Sequence, residues 1–197
     1  MSILRIEQEK YRDVWTFPKY REHSPGEEAV PRFLRVLSDN GEHHRPGESV
    51  IDFGCGEGRG AVALSAAGFS VCGWDFVDVR SKESIAAMSN FVCEPLWVPS
   101  RVGHVMVHGA WAGFCVDVLE HIPTEFTMLS IDNMLRHIGV LYLEISNNPD
   151  AMGGLIGQPL HLTVQPFAWW RDRIKEIATV LDARDLMGHS AFLVESR

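Results

Sequence analysis

A buried strand that runs into a glycine-rich turn and then into a helix constrains this chain more than any other feature. Residues 50–60 read Val-Ile-Asp-Phe-Gly-Cys-Gly-Glu-Gly-Arg-Gly. Glycines suit such a turn because a ligand can approach the backbone where no Cβ stands in its way. The N-terminus of the helix that follows offers unpaired N–H groups to an anionic ligand. The segment therefore predicts a ligand-binding loop at the carboxyl end of a strand in an α/β sheet.

Strand-like and helix-like segments alternate from residue 49 onwards. The predicted strands cover residues 49–53, 69–74, 91–93, 111–118, 139–146, 180–186 and 191–196. The predicted helices after the first strand cover residues 60–67, 125–137 and 166–178, and two more, 5–20 and 27–39, precede it with a turn at residues 23–26 between them. This alternation predicts a Rossmann-like α/β fold with a mostly parallel central sheet and helices on both faces.

The length and composition predict one domain over residues 1–197, with 1–47 as an N-terminal helical lid or cap and 48–197 as the α/β core. A hydrophobic content of 46% is enough to fill such a core. No apolar run approaches the ~18 residues of a membrane span, and no secretory signal is visible at the start. We therefore expect a cytoplasmic protein with no membrane partner. The sequence does not fix the oligomeric state.

Two cofactors fit the glycine turn. The spacing of Gly56, Gly58 and Ala61 satisfies the loose dinucleotide pattern, which keeps an NAD-dependent oxidoreductase open. Asp52 favours S-adenosylmethionine (SAM) instead, because its carboxylate would meet the cationic amino group of the methionine half and would repel a pyrophosphate. Glu57 also disfavours a diphosphate in this loop.

A second motif, Asp-Val-Leu-Glu-His-Ile-Pro at residues 117–123, follows the fourth predicted strand. This motif and residues 52–58 resemble the fourth and first motifs of the class I SAM-dependent methyltransferases, in the same order and at a matching separation. The resemblance spans about residues 48–146. It implies the seven-stranded class I methyltransferase fold with an antiparallel C-terminal strand. It also implies an enzyme that transfers the sulfonium methyl group of SAM to an O or N nucleophile.

The resemblance also implies a role for each residue of the cofactor site. Asp52 and the glycine loop would hold the methionine half, Asp75 the ribose, and Phe76 one face of the adenine. Glu94 and Leu96 would border the adenine edge, where Pro95 interrupts the match. Asp117 and Val118 would lie beneath the sulfonium and its methyl group. The complete predicted cofactor-binding set is Asp52, Gly54, Cys55, Gly56, Glu57, Gly58, Asp75, Phe76, Glu94, Leu96, Asp117 and Val118.

His161 is the predicted general base, with His121 and Glu120 behind it, because an imidazole titrates near neutral pH. The alternative role for His161 is that of a hydrogen-bonded structural residue. Together with Asp117, the three side chains could also bind a divalent metal, since carboxylates suit Mg²⁺ or Mn²⁺ and imidazoles suit Zn²⁺ or Fe²⁺. The pattern is similar to one in small-RNA 2′-O-methyltransferases, but an Asp replaces the first Glu. A metal is not favoured from the sequence.

The predicted methyl acceptor is a small molecule, a sugar or a lipid-like intermediate, because the chain is compact and its net charge of −8 opposes broad attraction to nucleic acid. A structured RNA or a modified nucleotide stays open, because a pocket can be basic in an acidic protein. A non-catalytic SAM-binding module is a further alternative. Tyr11, Trp15 and Tyr20 precede the core and fit a lid over the ligand, an amphipathic helix packed on the sheet, or both.

Overall fold

One seven-stranded sheet, flanked by helices, organises the computed structural model, which describes residues 3–22, 24–99 and 109–197. His23, in the predicted turn, lies outside the described residues. The strands are β1 Ser49–Phe53, β2 Ser70–Asp75, β3 Met88–Cys93, β4 Ala110–Val116, β5 Ile138–Ser146, β6 Ala178–Asp185 and β7 His189–Ser196. The helices are α1 Ile3–Val14, α2 Pro18–Arg21, α3 Pro25–Asp39, α4 Arg59–Ala66, α5 Lys82–Ala87, α6 Thr124–Leu135 and α7 Phe167–Ile177, with 3₁₀ turns at Leu119–His121 and Gly153–Leu155.

The strand order is β3-β2-β1-β4-β5-β7-β6. Strands β1 to β5 pair in parallel, and β7 runs antiparallel between β5 and β6. The predicted mostly parallel seven-stranded sheet with an antiparallel C-terminal strand is therefore confirmed. Because β1 pairs with both β2 and β4, the strand order reverses at β1, and a ligand crevice is expected at the carboxyl ends of these strands.

Apolar layers cover both faces of the sheet. Successive residues of β1 alternate between them, so that Ile51 packs in the layer that contains Trp170 of α7, while Val50 packs in the layer that contains Phe33 of α3. A strand buried on both faces needs a continuous apolar run rather than an alternating pattern, which is why this segment reads as a strand. Within the described residues, no helix has the length and apolar character that crossing a membrane requires.

Two elements differ from the sequence predictions. The predicted helix over residues 5–20 is interrupted before Pro18, because Phe17 takes an extended conformation (φ −84°, ψ 121°) of the kind that a following proline favours. Helix α5 was not predicted, since its six residues are too few to show a helical period. Ser81 caps it by accepting a hydrogen bond from the N–H of Ser84 at 3.1 Å.

Candidate active site

A cavity of about 320 Å³ lies over the carboxyl ends of β1, β2 and β4. The glycine loop after β1 forms one wall, and side chains of α1 and α2 face it. The predicted site residues that line the cavity are Asp52, Gly54, Cys55, Gly56, Glu57, Gly58, Asp75, Phe76, Leu96, Asp117, Val118, His121 and His161. Among the described residues, two predicted members, Glu94 and Glu120, do not line it.

Close packing within the protein explains two glycines of the loop. Gly54 has φ +72°, and a Cβ there would lie only 2.8 Å from Cγ1 of Val118. Gly56 has φ +52°, and a Cβ there would lie 2.6 Å from the indole of Trp15. Positive φ and missing space both exclude larger residues here. The sequence assigned these glycines to the approach of a ligand, but at these two positions the approaching groups are side chains of the protein itself.

Asp52 is buried at the end of β1, with 4% of its surface exposed, yet it still lines the cavity. Its Oδ2 has no hydrogen-bond partner among the described residues. Burial, and secondarily the charge of Asp75, raise the pKa of Asp52 to about 7. A buried carboxylate oxygen without a partner is costly. The site is therefore suited to a ligand that brings a positive charge to this oxygen.

Asp75 ties the glycine loop to the end of β2. Its Oδ2 accepts the N–H of Gly56 at 2.8 Å, and its Oδ1 accepts the N–H of Val77 at 3.1 Å. Burial raises the pKa of Asp75 to about 6, although the backbone hydrogen bonds act in the opposite direction. Each carboxylate oxygen keeps a second lone pair that can accept from a ligand hydroxyl.

The wall beyond Asp75 is apolar and aromatic. Phe76, Leu96 and Trp97 line the cavity there, and the rings of Phe76 and Trp97 lie 6.0 Å apart. The sequence analysis missed Trp97, although an indole next to a predicted ligand-binding residue was a usable signal. Glu94, by contrast, is partly buried beside β3, where its backbone carbonyl accepts the indole N–H of Trp74 at 2.8 Å.

Two histidines face each other on the opposite side of the cavity. The rings of His121 and His161 lie 4.6 Å apart, edge to face. Nδ1 of His121 is 3.2 Å from the carbonyl of Leu160, and Nδ1 of His161 is 2.6 Å from that of Asn148. A carbonyl can only accept, so both Nδ1 atoms carry a proton, and in the neutral form of each ring Nε2 is the acceptor. Burial and the proximity of His121 lower the pKa of His161, which favours its neutral form.

Two carboxyl groups stand beside these histidines. Oδ2 of Asp117 is 4.0 Å from Nε2 of His121, and the Asp117 backbone is left-handed, with φ 58°. Such a conformation is uncommon for a residue other than glycine and often marks a functional site. Glu120 is fully buried, and its Oε1 accepts the N–H of Ser146 at 2.6 Å. Burial, and next the charge of Asp117, raise the pKa of Glu120 well above its ordinary value.

Aromatic residues from α1, α2 and the turn between them line the cavity. Tyr11, Trp15 and Tyr20 all line it, and the Tyr11 ring lies 5.3 Å from that of Phe76 and 5.7 Å from that of His121. Tyr11 thus contacts both halves of the site. The sequence analysis did not identify the loop residues that close the far end. These are Pro149, Asp150, Ala151 and Met152.

This sheet order, with a glycine loop at the point where the order reverses, defines the class I methyltransferase fold, and solved structures agree. The chain is similar to magnesium protoporphyrin IX methyltransferase from Synechocystis PCC 6803 with bound SAM, at 17% identity over 100% of this chain and 98% of that one, with a TM-score of 0.68. It is also similar to 1,6-didemethyltoxoflavin-N1-methyltransferase from Burkholderia thailandensis, at 12% identity over 96% of this chain and 84% of that one, with a TM-score of 0.64.

A third similar structure is a TehB-like SAM-dependent methyltransferase from Corynebacterium glutamicum, at 14% identity over 87% of this chain and 98% of that one, with a TM-score of 0.59. No protein-family model and no curated relative matches the sequence. At these identities the likeness establishes the fold. The class I methyltransferase fold that the two motifs predict is confirmed.

Proposed function

We propose that this chain is a SAM-dependent methyltransferase that transfers the sulfonium methyl group to an O or N nucleophile of a small molecule. The observation that carries the proposal is the unpaired Oδ2 of Asp52, buried at the wall of the cavity. The amino group of the methionine half of SAM is a cation that would pair with it. Similar structures that contain SAM or S-adenosylhomocysteine support this choice of cofactor.

The proposal assigns a part of the cavity to each part of the cofactor. Asp52 would pair with the amino group, Asp75 would accept from the ribose hydroxyls, and Phe76 would cover the adenine with Leu96 and Trp97 at its edge. Bound SAM supplies a methyl group made electrophilic by the sulfonium. The contribution of the chain is then alignment and the exclusion of water. A dinucleotide is less suited, because a pyrophosphate beside Asp52 would be repelled.

The acceptor would lie between the histidines and the aromatic residues of α1 and α2. In a site without a metal, the free Nε2 of His161 would take the proton of an acceptor hydroxyl. The names of two similar proteins describe small-molecule acceptors, a protoporphyrin and a didemethyltoxoflavin, which supports a small-molecule acceptor for this chain. The proposal includes a cytoplasmic location.

Titration with S-adenosylhomocysteine tests the cofactor. We expect binding in the micromolar range by isothermal calorimetry and no heat with NAD. Asp75→Ala should lower the affinity for S-adenosylhomocysteine at least about tenfold, because it removes a charged hydrogen-bond acceptor and the hydrogen bond to the N–H of Gly56. Asp172→Ala, on the exposed side of α7, is the matched control and should bind as the unmodified protein does. Preference for NAD, or no binding of either compound, would refute the proposed function.

Residues 1–47 are proposed to act as a lid, since Tyr11, Trp15 and Tyr20 line the cavity. S-adenosylhomocysteine should therefore slow amide hydrogen exchange in α1 at least about threefold, because a lid is a low-stability segment that ligand contacts order. Helix α7 packs against α6 and the antiparallel strands β6 and β7 and serves as the internal control. Equal protection of α1 and α7 would show that the N-terminal segment is a fixed part of the fold.

A further inference from the structure

Four side chains from the segments after β4 and β5 form a cluster of potential metal ligands. Asp117, Glu120, His121 and His161 each offer one ligand atom, and these atoms all lie within 4.8 Å of one another. The four ligand atoms of a tetrahedral ion such as Zn²⁺ stand about 3.4 Å apart, given bond lengths of about 2.1 Å. A shift of each side chain by about 1 Å or less would therefore let all four reach one ion. We propose that this cluster binds a divalent first-row transition-metal ion at the acceptor side of the cavity.

The backbone already orients both imidazoles for ligation. His121 donates its Nδ1 proton to Leu160, and His161 donates its Nδ1 proton to Asn148. This leaves Nε2 of each ring as the unprotonated ligand atom. Metal-binding histidines characteristically donate their other ring N–H to a carbonyl or carboxylate, which fixes the tautomer and the orientation of the ring. Here both acceptor carbonyls lie in the connection between β5 and α7, and the two hydrogen bonds orient histidines of the same cluster.

Glu120 supplies a second observation, a buried oxygen that a metal ion could satisfy. It is fully buried, one of its oxygens is fixed by the N–H of Ser146, and the other, Oε2, has no hydrogen-bond partner among the described residues. A buried carboxyl oxygen of this kind requires either a proton or a cation. The neighbouring carboxylate of Asp117 cannot supply a hydrogen-bond donor when it is ionised. A cation between them would satisfy both groups.

The ligand set indicates the kind of ion. Two imidazoles with two carboxylates suit Mn²⁺, Fe²⁺, Co²⁺ or Zn²⁺ better than Mg²⁺ or Ca²⁺, which prefer ligands that are all oxygen. Asp117, His121 and His161 line the cavity, so an ion among them would have a coordination position open to the acceptor. This consequence rests on the proposed function: a hydroxyl-bearing acceptor would bind the ion through its oxygen, and His161 would be a ligand instead of the base.

The direct test is titration of tag-free, chelator-treated protein with Mn²⁺. Binding is monitored as the loss of the electron paramagnetic resonance signal of the free ion. We expect saturation at one Mn²⁺ per chain, and competition by Zn²⁺ but not by equimolar Mg²⁺. Asp117→Asn and His161→Ala should each weaken Mn²⁺ binding at least tenfold. His43→Ala, in an exposed loop, is the control for loss of a histidine and should leave the affinity unchanged.

S-adenosylhomocysteine binding to the same chelator-treated protein separates this inference from the proposed function. Binding of S-adenosylhomocysteine without saturable Mn²⁺ binding would overturn the metal site and leave the cofactor proposal standing. Saturable Mn²⁺ binding that Asp117→Asn and His161→Ala leave unchanged would also overturn it, since the ion would then lie elsewhere. Circular dichroism of each variant establishes that the fold is intact, and His161 is half-buried, so its truncation should be tolerated.

Discussion

Asp52→Asn is expected to stabilise the unliganded protein and at the same time to lower its affinity for S-adenosylhomocysteine about 100-fold. The carboxylate is buried, and its Oδ2 has no hydrogen-bond partner among the described residues, so its charge opposes folding until a cation is bound. Asparagine keeps the shape of the side chain and removes the charge. Loss of one partner of a buried charge pair costs about 2–5 kcal/mol of binding free energy, which corresponds to this change in affinity.

The stabilisation should depend on pH. Burial raises the pKa of Asp52 from 3.8 to about 7 in the folded protein. Between these values the folded chain holds a proton that the unfolded chain has released, so the free energy of unfolding falls as the pH rises through this window. The full cost, on the order of 2–4 kcal/mol, is present above pH 7. Asp52→Asn removes that cost, so its melting temperature should exceed that of the unmodified protein by roughly 5–10 °C at pH 8.

Thermal melts at pH 4 and pH 8 check this expectation, with Asp172→Asn as the control for loss of an exposed carboxylate. The gain for Asp52→Asn should nearly vanish at pH 4, where the native carboxyl is protonated. A variant that is less stable at pH 8 would mean that Asp52 has a stabilising partner in the folded chain. It would then be unsuited to hold the amino group of SAM. If Asp52→Asn were more stable but bound S-adenosylhomocysteine with unchanged affinity, the charge of Asp52 would not contribute to cofactor binding.

Local sequence predicted those parts of the fold and site that neighbouring residues determine. The apolar run of β1, the glycines after it and Asp75 at the end of β2 lie close in the chain, and each was located within one or two residues. The break before Pro18 was missed, although the rule that proline restricts the conformation of the preceding residue, Phe17, was a usable local signal. The alternation of strands and helices predicted a mostly parallel sheet, because consecutive parallel strands need a crossover connection, which is usually a helix.

Side chains that reach the site through tertiary packing were not predictable in the same way. Trp97 and Met152 enter the cavity from loops after β3 and β5, where no period of hydrophobicity indicates which way a side chain points. Glu94 shows the same limit. Its position after β3 predicted that it would line the cavity, but it is not among the lining residues. The orientation of the Glu120 side chain depends on its hydrogen bond from the N–H of Ser146. Ser146 lies at the end of β5 and is distant from Glu120 in the sequence. Motifs thus identified the loops, and packing decided which of their side chains line the cavity.

Gly54→Ala is expected to cost about 3 kcal/mol of folding free energy or more, because two independent effects act there. An alanine at φ +72° costs about 1–2 kcal/mol in backbone conformation. Its Cβ would also overlap the γ-methyl groups of Val118, and overpacking of this kind typically costs a further 1–3 kcal/mol. Gly41 has φ +79° with nothing within 4 Å of the added carbon, so Gly41→Ala should show the backbone cost alone.

Urea unfolding of Gly54→Ala, Val118→Ala and the double variant isolates the steric part as a coupling free energy. The double variant should be more stable than the sum of the two single changes predicts, by about 1–2 kcal/mol, since Val118→Ala removes both γ-methyl groups. If Gly54→Ala and Gly41→Ala lost equal stability, the contact with Val118 would be unimportant. The glycine would then be needed for its backbone conformation alone. A positive coupling free energy would show that the side chain of Val118, in the motif after β4, occupies the space that a Cβ at Gly54 would need. The glycine at the first position of the turn after β1 would then be required by packing within the protein as well as by its backbone conformation.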